Sequence, residues 1–252
     1  ATYGGGLSAS KDSFSILEKA LNYKDPSLQL IGLYFLSQLQ DDRSRAALEK
    51  AATKSDFLST RVEACYHMAL RKEKNASSFT QALMSSLPPF FRPFFPRFFA
   101  LIGTKEADRE LRQLLQDRNH LVRIEAILSV IQMKRDDFLP LIRLKASQRN
   151  VAEMEACAFA FGVMQDTHSI HRLESFSTKS PMNVRIAALQ SLVKLGDESK
   201  IQDLEILALS HNLFAIQALA QLKGSNDILF ELIKSSNLQT QINAAIGLLQ
   251  RR

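Results

Sequence analysis

Five segments of this chain follow one template: TRVEACYHMAL (Thr60 to Leu70), LVRIEAILSVI (Leu121 to Ile131), AEMEACAFAFG (Ala152 to Gly162), NVRIAALQSLV (Asn183 to Val193) and TQINAAIGLL (Thr240 to Leu249). Each places a small residue after an apolar one, with apolar positions recurring at the helical period. Taking the small residue as an anchor gives Gly32, Ala64, Pro96, Ala126, Ala156, Ala188, Ala218 and Ala244, at intervals of 32, 32, 30, 30, 32, 30 and 26 residues. A unit of this length cannot bury its apolar face alone and must stack on its neighbours. The 252 residues therefore form about eight layers rather than one or two globular cores.

A shorter amphipathic segment precedes the anchored helices, as in SFSILEKAL (Ser13 to Leu21), SRAALEKAA (Ser44 to Ala52), ADRELRQLL (Ala107 to Leu115) and DILFELI (Asp227 to Ile233). Gly103-Thr104, Gly196-Asp197 and Gly224-Ser225-Asn226 fall between segments, where glycine takes a left-handed conformation and an oxygen side chain caps the next helix. The unit is a pair of antiparallel helices, and sixteen helices are expected, the last ending near Gln250. Composition agrees: 37 Leu, 27 Ala and 16 Ile stand against 7 Val and 8 Thr, with no Trp, which excludes an all-β fold.

The run from Asp117 to Ile131, and NVRIAALQSLVKLGD from Asn183 to Asp197 above all, resembles the HEAT repeat in its order of Asp or Asn, Val-Arg, Ala and a closing Leu-Gly-Asp. The short period resembles the phycobilisome-lyase-type variety, and the resemblance spans about residues 12–250. It implies an all-α, right-handed α-solenoid whose anchored helices line the concave side. The domain expected is a single one over 12–252, with residues 1–11, glycine- and serine-rich, as a flexible leader or cut end. In the HEAT family the arginine three residues before the anchor pairs with a neighbouring aspartate; here Arg61, Arg123 and Arg185 occupy that place, and Asp56 and Asp117 are the expected partners.

Catalytic constellations are sparse. The chain holds no glycine-rich phosphate loop, no G-x-S-x-G elbow and no HExxH. His168 and His171 with Asp166 and Glu174 have helical spacing that would suit one ion, but a solvated first turn is the reading preferred. The iron hydroxylases built on HEAT repeats use His-Glu dipeptides, and none occurs. Alkylpurine DNA glycosylases share the scaffold and a basic character, and the net charge of +6 with pI near 9.4 permits an acidic partner. However, Glu63, Glu125 and Glu155, each just before an anchor, would line the groove with carboxylates that repel phosphate. No residue diagnostic of bilin attachment is visible. The expectation is a chain that is not an enzyme, has no cofactor or metal, and is cytoplasmic, with Cys65 and Cys157 as buried free thiols. No apolar run reaches the length needed to span a bilayer.

The third repeat departs from the template. LPPFFRPFFPRFF, from Leu87 to Phe99, holds six of the 16 Phe and four of the 7 Pro, and Lys74 to Lys105 contains no acidic residue. A helix would gather Phe90, Phe94 and Phe98 with Phe91, Phe95 and Phe99 on one face, and proline predicts a kink at Pro93 to Pro96. Six rings exceed what one layer buries, so some form an exposed patch rimmed by Arg92 and Arg97. The function expected is a scaffold binding another protein through Glu63, Glu125, Glu155, Gln217 and Gln221, supplemented by Phe91, Arg92, Phe95 and Arg97. The alternative is a nucleic-acid binder related to the glycosylases.

Overall fold

The computed structural model describes residues 13–147 and 150–251, with Thr2 and Gly4 before them. The expected leader over residues 1–11 therefore falls almost wholly outside the described residues. Residues 13–251 form sixteen α-helices, with no strand among the described residues. They are α1 (Ser13–Ala20), α2 (Pro26–Gln38), α3 (Asp42–Lys54), α4 (Leu58–Leu70), α5 (Ala76–Ser86), α6 (Pro96–Ile102), α7 (Lys105–Leu114), α8 (His120–Gln132), α9 (Leu139–Lys145), α10 (Val151–Val163), α11 (Ile170–Lys179), α12 (Met182–Lys194), α13 (Lys200–Leu209), α14 (Leu213–Ala220), α15 (Asn226–Leu232) and α16 (Leu238–Leu249). Odd and even helices pair, so the fold is the all-α stack of HEAT-like helix pairs that the template requires.

Two compact units divide the chain, Ala1–Ser129 and Val130–Arg252. Within the first, α2 packs on α4 and α4 on α6, while α3 packs on α5. Within the second, α10 packs on α12, α12 on α14 and α14 on α16, with α13 on α15. In each unit, taken by itself, second helices thus stack on second helices and first on first, with apolar side chains between the two layers. All eight anchors are buried, because small residues let neighbouring helix axes approach. The closest approach is at Gly162 of α10, where a Cβ would stand 2.7 Å from the Ser191 Cα of α12.

Helix ends carry the most regular feature of the fold. Left-handed backbone recurs at Lys72, Gly103, Lys134, Gln165 and Gly196, each 31 residues after the last. Each residue terminates the second helix of its pair, and the next position (Glu73, Thr104, Arg135, Asp166 or Asp197) is polar or charged. Only two of the five are glycine, although a side chain in this conformation costs about 1 kcal/mol.

This register corrects the anchors of two repeats. Eight residues before the left-handed positions lie Ala64, Phe95, Ala126, Cys157 and Ala188, all buried. Phe95 and Cys157, rather than Pro96 and Ala156, are therefore structurally equivalent to the small anchors.

The arginines of the repeat also differ from expectation. Arg61 Nε donates to Ala52 O (3.3 Å), Arg185 Nε to Ser177 O (3.2 Å), and Arg123 Nη1 to Asp117 O (2.8 Å) and Arg118 O (3.1 Å). The first two acceptors lie in the last turns of α3 and α11, and the third pair follows α7. Carbonyls at a helix C-terminus lack intrahelical donors and carry the negative end of the dipole, so a cation there serves both needs. Arg71, Arg172 and Arg251 do the same across repeats, donating to Leu36 O, Arg143 O and Ala220 O. Asp56 is not the partner of Arg61, and the Asp117 carboxylate is taken by Arg92, at 2.8 Å.

Candidate interaction surface

In the first unit the second helices present matching solvent-facing rows. On α2 the row includes Ile31, Tyr34 and Gln38; on α4 it is Ser59, Glu63, Tyr66 and Leu70; on α8 it begins with Leu121, Glu125 and Leu128. In the third repeat the equivalent positions are Phe90, Phe94, Arg97 and Leu101, since Phe94 precedes Phe95 as Glu63 precedes Ala64. Phe90 and Phe94 are 67% and 66% exposed.

The proline-rich stretch forms this surface by breaking the helix in two. Pro89–Phe94 is a 3-10 helix and α6 begins at Pro96, where the missing amide costs nothing. The rings divide accordingly. Phe95, Phe98 and Phe99 are buried, while Phe91 is half-buried and stacks on Phe90, with centroids 4.2 Å apart. Around them lies a cavity of about 300 Å3 lined by Leu58, Ser59, Val62, Leu87, Phe91, Phe94, Phe95 and Phe98, to which Ser59 brings the sole hydroxyl side chain.

Next to it along α4 is a polar counterpart of about 390 Å3, lined in part by Tyr34, Glu63, Tyr66, His67 and Arg71. His67 Nε2 stands 3.3 Å from Glu63 Oε1 without the alignment of a hydrogen bond, and the imidazole packs near Tyr34 and Tyr66 at 6.4 and 6.0 Å between centroids. Burial holds His67 below its usual range; Glu63 opposes this and Arg71 adds to it. Arg71 and Arg45 converge on the buried Glu73 carboxylate at 2.7 and 2.6 Å, which fixes this end of the row. Arg97 meets the second cavity at Tyr66: its guanidinium lies 5.5 Å from the Tyr66 ring centroid and donates to the Tyr66 hydroxyl at 3.3 Å.

The sequence-derived contacts separate into three groups. Glu63, Glu125 and Arg97 stand on the solvent-facing rows of the first unit, with Phe91 at the apolar cavity. Gln217 and Gln221 are exposed on and just after α14 of the second unit, where Gln221 Oε1 accepts from Gln190 Nε2 at 3.0 Å. The remaining residues are corrected. Phe95 is 2% exposed, so it supports the surface from beneath. Arg92 is bound to Asp117 and holds the 3-10 helix in place. Glu155 is half-buried, since the 31-residue register sets it level with Val62, Ile124 and Ile186. Burial raises its carboxyl above the usual range, with a hydrogen bond involving Asn183 opposing.

Other titratable groups are committed to the stack. Asp166 accepts from Arg143 at 2.8 and 2.5 Å and from the Ser169 hydroxyl at 2.7 Å. Burial alone would raise its carboxyl; Arg143 and Ser169 reverse that and hold it low. Its carboxylate is therefore committed to Arg143 and Ser169, and the His168 backbone adds to the same effect. Cys65 and Cys157 are buried and form no disulfide, and burial pushes the Cys65 thiol up to about 12, against the pull of Arg61. No helix is long and apolar enough to cross a membrane among the described residues.

The sequence reading passes over Tyr34, Tyr66 and Phe94 as surface residues, and over the buried His67 beneath them. A clue was present: Tyr34 and Tyr66 are both two residues beyond their anchors, a coincidence that needs no structure to notice.

No protein-family model matches the chain, and no curated protein matches it in sequence. Solved structures do. YibA of Escherichia coli is 18% identical with a TM-score of 0.53, covering 87% of this chain and 84% of that one. A chain from the complex of CpcE and CpcF of phycocyanin lyase from Nostoc is 16% identical, with a TM-score of 0.47 and 93% of each chain covered. Human deoxyhypusine hydroxylase is 15% identical, with a TM-score of 0.37 over 78% of this chain and 89% of that one. At these identities the likeness is one of fold. It nevertheless corrects one expectation: two of these three structures bear the names of enzymes, so a helical-repeat architecture is no ground for denying the chain an enzymatic activity.

Proposed function

We propose that this HEAT-like chain is a protein-interaction module whose principal contact surface is the solvent-facing row of α2, α4, α6 and α8 in the first unit. One observation carries the reading: the row holds large exposed side chains, Tyr34, Phe90, Phe94, Leu121 and Leu128, with the half-buried Tyr66 among them, interleaved with Glu63, Arg97 and Glu125. Aromatic residues and arginine amid an apolar patch are the composition enriched at protein interfaces. Gln217 and Gln221 are proposed as a separate contact patch of the second unit.

The test is affinity capture with the intact chain, compared with the double variant Glu63→Lys/Glu125→Lys and with Phe94→Ala. Retained proteins lost with these variants, at unchanged melting temperature, support the reading. Retention on DNA with a steep salt dependence, and no variant-sensitive protein, would overturn it in favour of nucleic acid, since phosphate contacts release counterions.

A further inference from the structure

The apolar cavity beside α4 and α6 differs from an ordinary packing defect in two ways. It opens beside exposed rings rather than lying closed between layers, and its volume of about 300 Å3 is at the lower end of the range of ligand pockets. Its walls are aromatic and aliphatic, so nothing in them would orient a polar ligand other than the Ser59 hydroxyl at the mouth.

The charges beside it that lack a partner of opposite sign are basic. Lys74 to Lys105 holds no acidic residue. Arg61 reaches Ser86, next to the lining Leu87, at 3.4 Å, and Arg97 follows the anchor of the third repeat. Neither has a carboxylate partner among the described residues. Arg92 does, in Asp117, and Glu63 faces His67 instead. The apolar surface is also wider than the cavity, since Phe90 stands exposed outside it and Phe94 exposed at its wall. A free alkyl chain filling the hole would leave those rings in water, whereas a peptide face would insert one side chain and cover the surrounding rings. A flat lipid surface would cover the rings but has no need of the hole.

We infer that the cavity receives one bulky apolar side chain from an acidic peptide segment of the partner, with Arg61 and Arg97 meeting the acidic flank and Phe90 and Phe94 lying against the peptide. This rests on the protein-interaction reading above and gives its partner a chemistry.

The test is selection of a displayed library of random short peptides on the full chain, followed by binding measurements on the enriched peptides. The expected consensus is net acidic with one or two of Phe, Trp, Leu or Met. Ser59→Trp, which fills the mouth from an exposed position, is expected to weaken binding about tenfold or more, as loss of one anchor does. Arg97→Glu is expected to weaken acidic peptides and not an uncharged control carrying the same apolar residue. Melting curves of both variants matching the parent chain exclude misfolding, and Phe94→Ala gives a second test at the cavity wall should Ser59→Trp be unstable. No enrichment, a basic or purely polar consensus, or peptide binding indifferent to both cavity variants would overturn the inference. So would sedimentation with phosphatidylcholine–phosphatidylserine vesicles that Ser59→Trp abolishes, which would assign the cavity to lipid. Capture dependent on Glu63 and Glu125, with the cavity silent, would leave the broader reading standing while this one fails.

Discussion

The third and sixth repeats are built on one template and use it in opposite ways. In the sixth, closest to the HEAT pattern, α12 buries Val184, Ile186, Ala187, Ala188, Leu189, Gln190, Ser191 and Leu192, and even its polar residues are taken up by neighbours: Ser191 donates to Ala158 O and Gln190 to Ala218 O. Almost no face is left over. In the third, proline cuts the second helix short, and the positions matching Ser59 and Glu63 become Phe90 and Phe94, pointing away from the stack. Fidelity to the repeat and availability for binding are in competition, because both draw on the same few side chains of the second helix.

Four measurements would sharpen or break that contrast. Phe99→Ala removes a fully buried ring from the third repeat and is expected to cost about 3–5 kcal/mol in chemical denaturation; a loss near that of a surface change would mean that the third repeat has no packed inner half. Gly162→Ala tests the other side, since its methyl must displace the Ser191 backbone, and overpacking of this kind costs about 1–3 kcal/mol. An unchanged midpoint would show that the tight α10–α12 approach is dispensable.

The third measurement is the pH dependence of thermal stability. Because folding holds His67 below its ordinary value of 6.5, the unfolded chain takes up that proton first, so the melting temperature should fall as pH drops below about 6.5 until the folded form protonates as well. His67→Gln should flatten that part of the profile, and an identical slope in the variant would remove His67 as its cause. The smallest effect is expected of Phe94→Ala, within about 0.5 kcal/mol of the parent chain. A large destabilisation there would erase the distinction between the two repeats.

Much of the fold was legible because it follows from spacing. Small residues at about thirty-residue intervals, with paired amphipathic segments, led to sixteen helices, and α16 ends at Leu249, beside the expected Gln250. The register of the third and fifth repeats was not legible. A large Phe95 and a Cys157 occupy anchor sites, and a small or conformationally special neighbour, Ala156 or Pro96, drew the eye instead. The left-handed residues that mark the true period are lysine or glutamine in three of five cases, so glycine could not reveal them. The candidate surface was read in part. Glu63, Glu125 and Arg97, singled out by their places beside the anchors, lie on the solvent-facing rows, but Phe94 was concealed by the same one-residue slip, and Glu155 was drawn into the groove by it.

The arginines that tie one helix to the last carbonyls of another have a genetic consequence. Their acceptor is main chain, present whatever side chain occupies that position. Drift in the receiving helix therefore leaves the fastening intact, while loss of the arginine removes it. Tolerance to mutation is one-sided along each such joint, and the composition of a helix end can change freely provided the arginine opposite is retained.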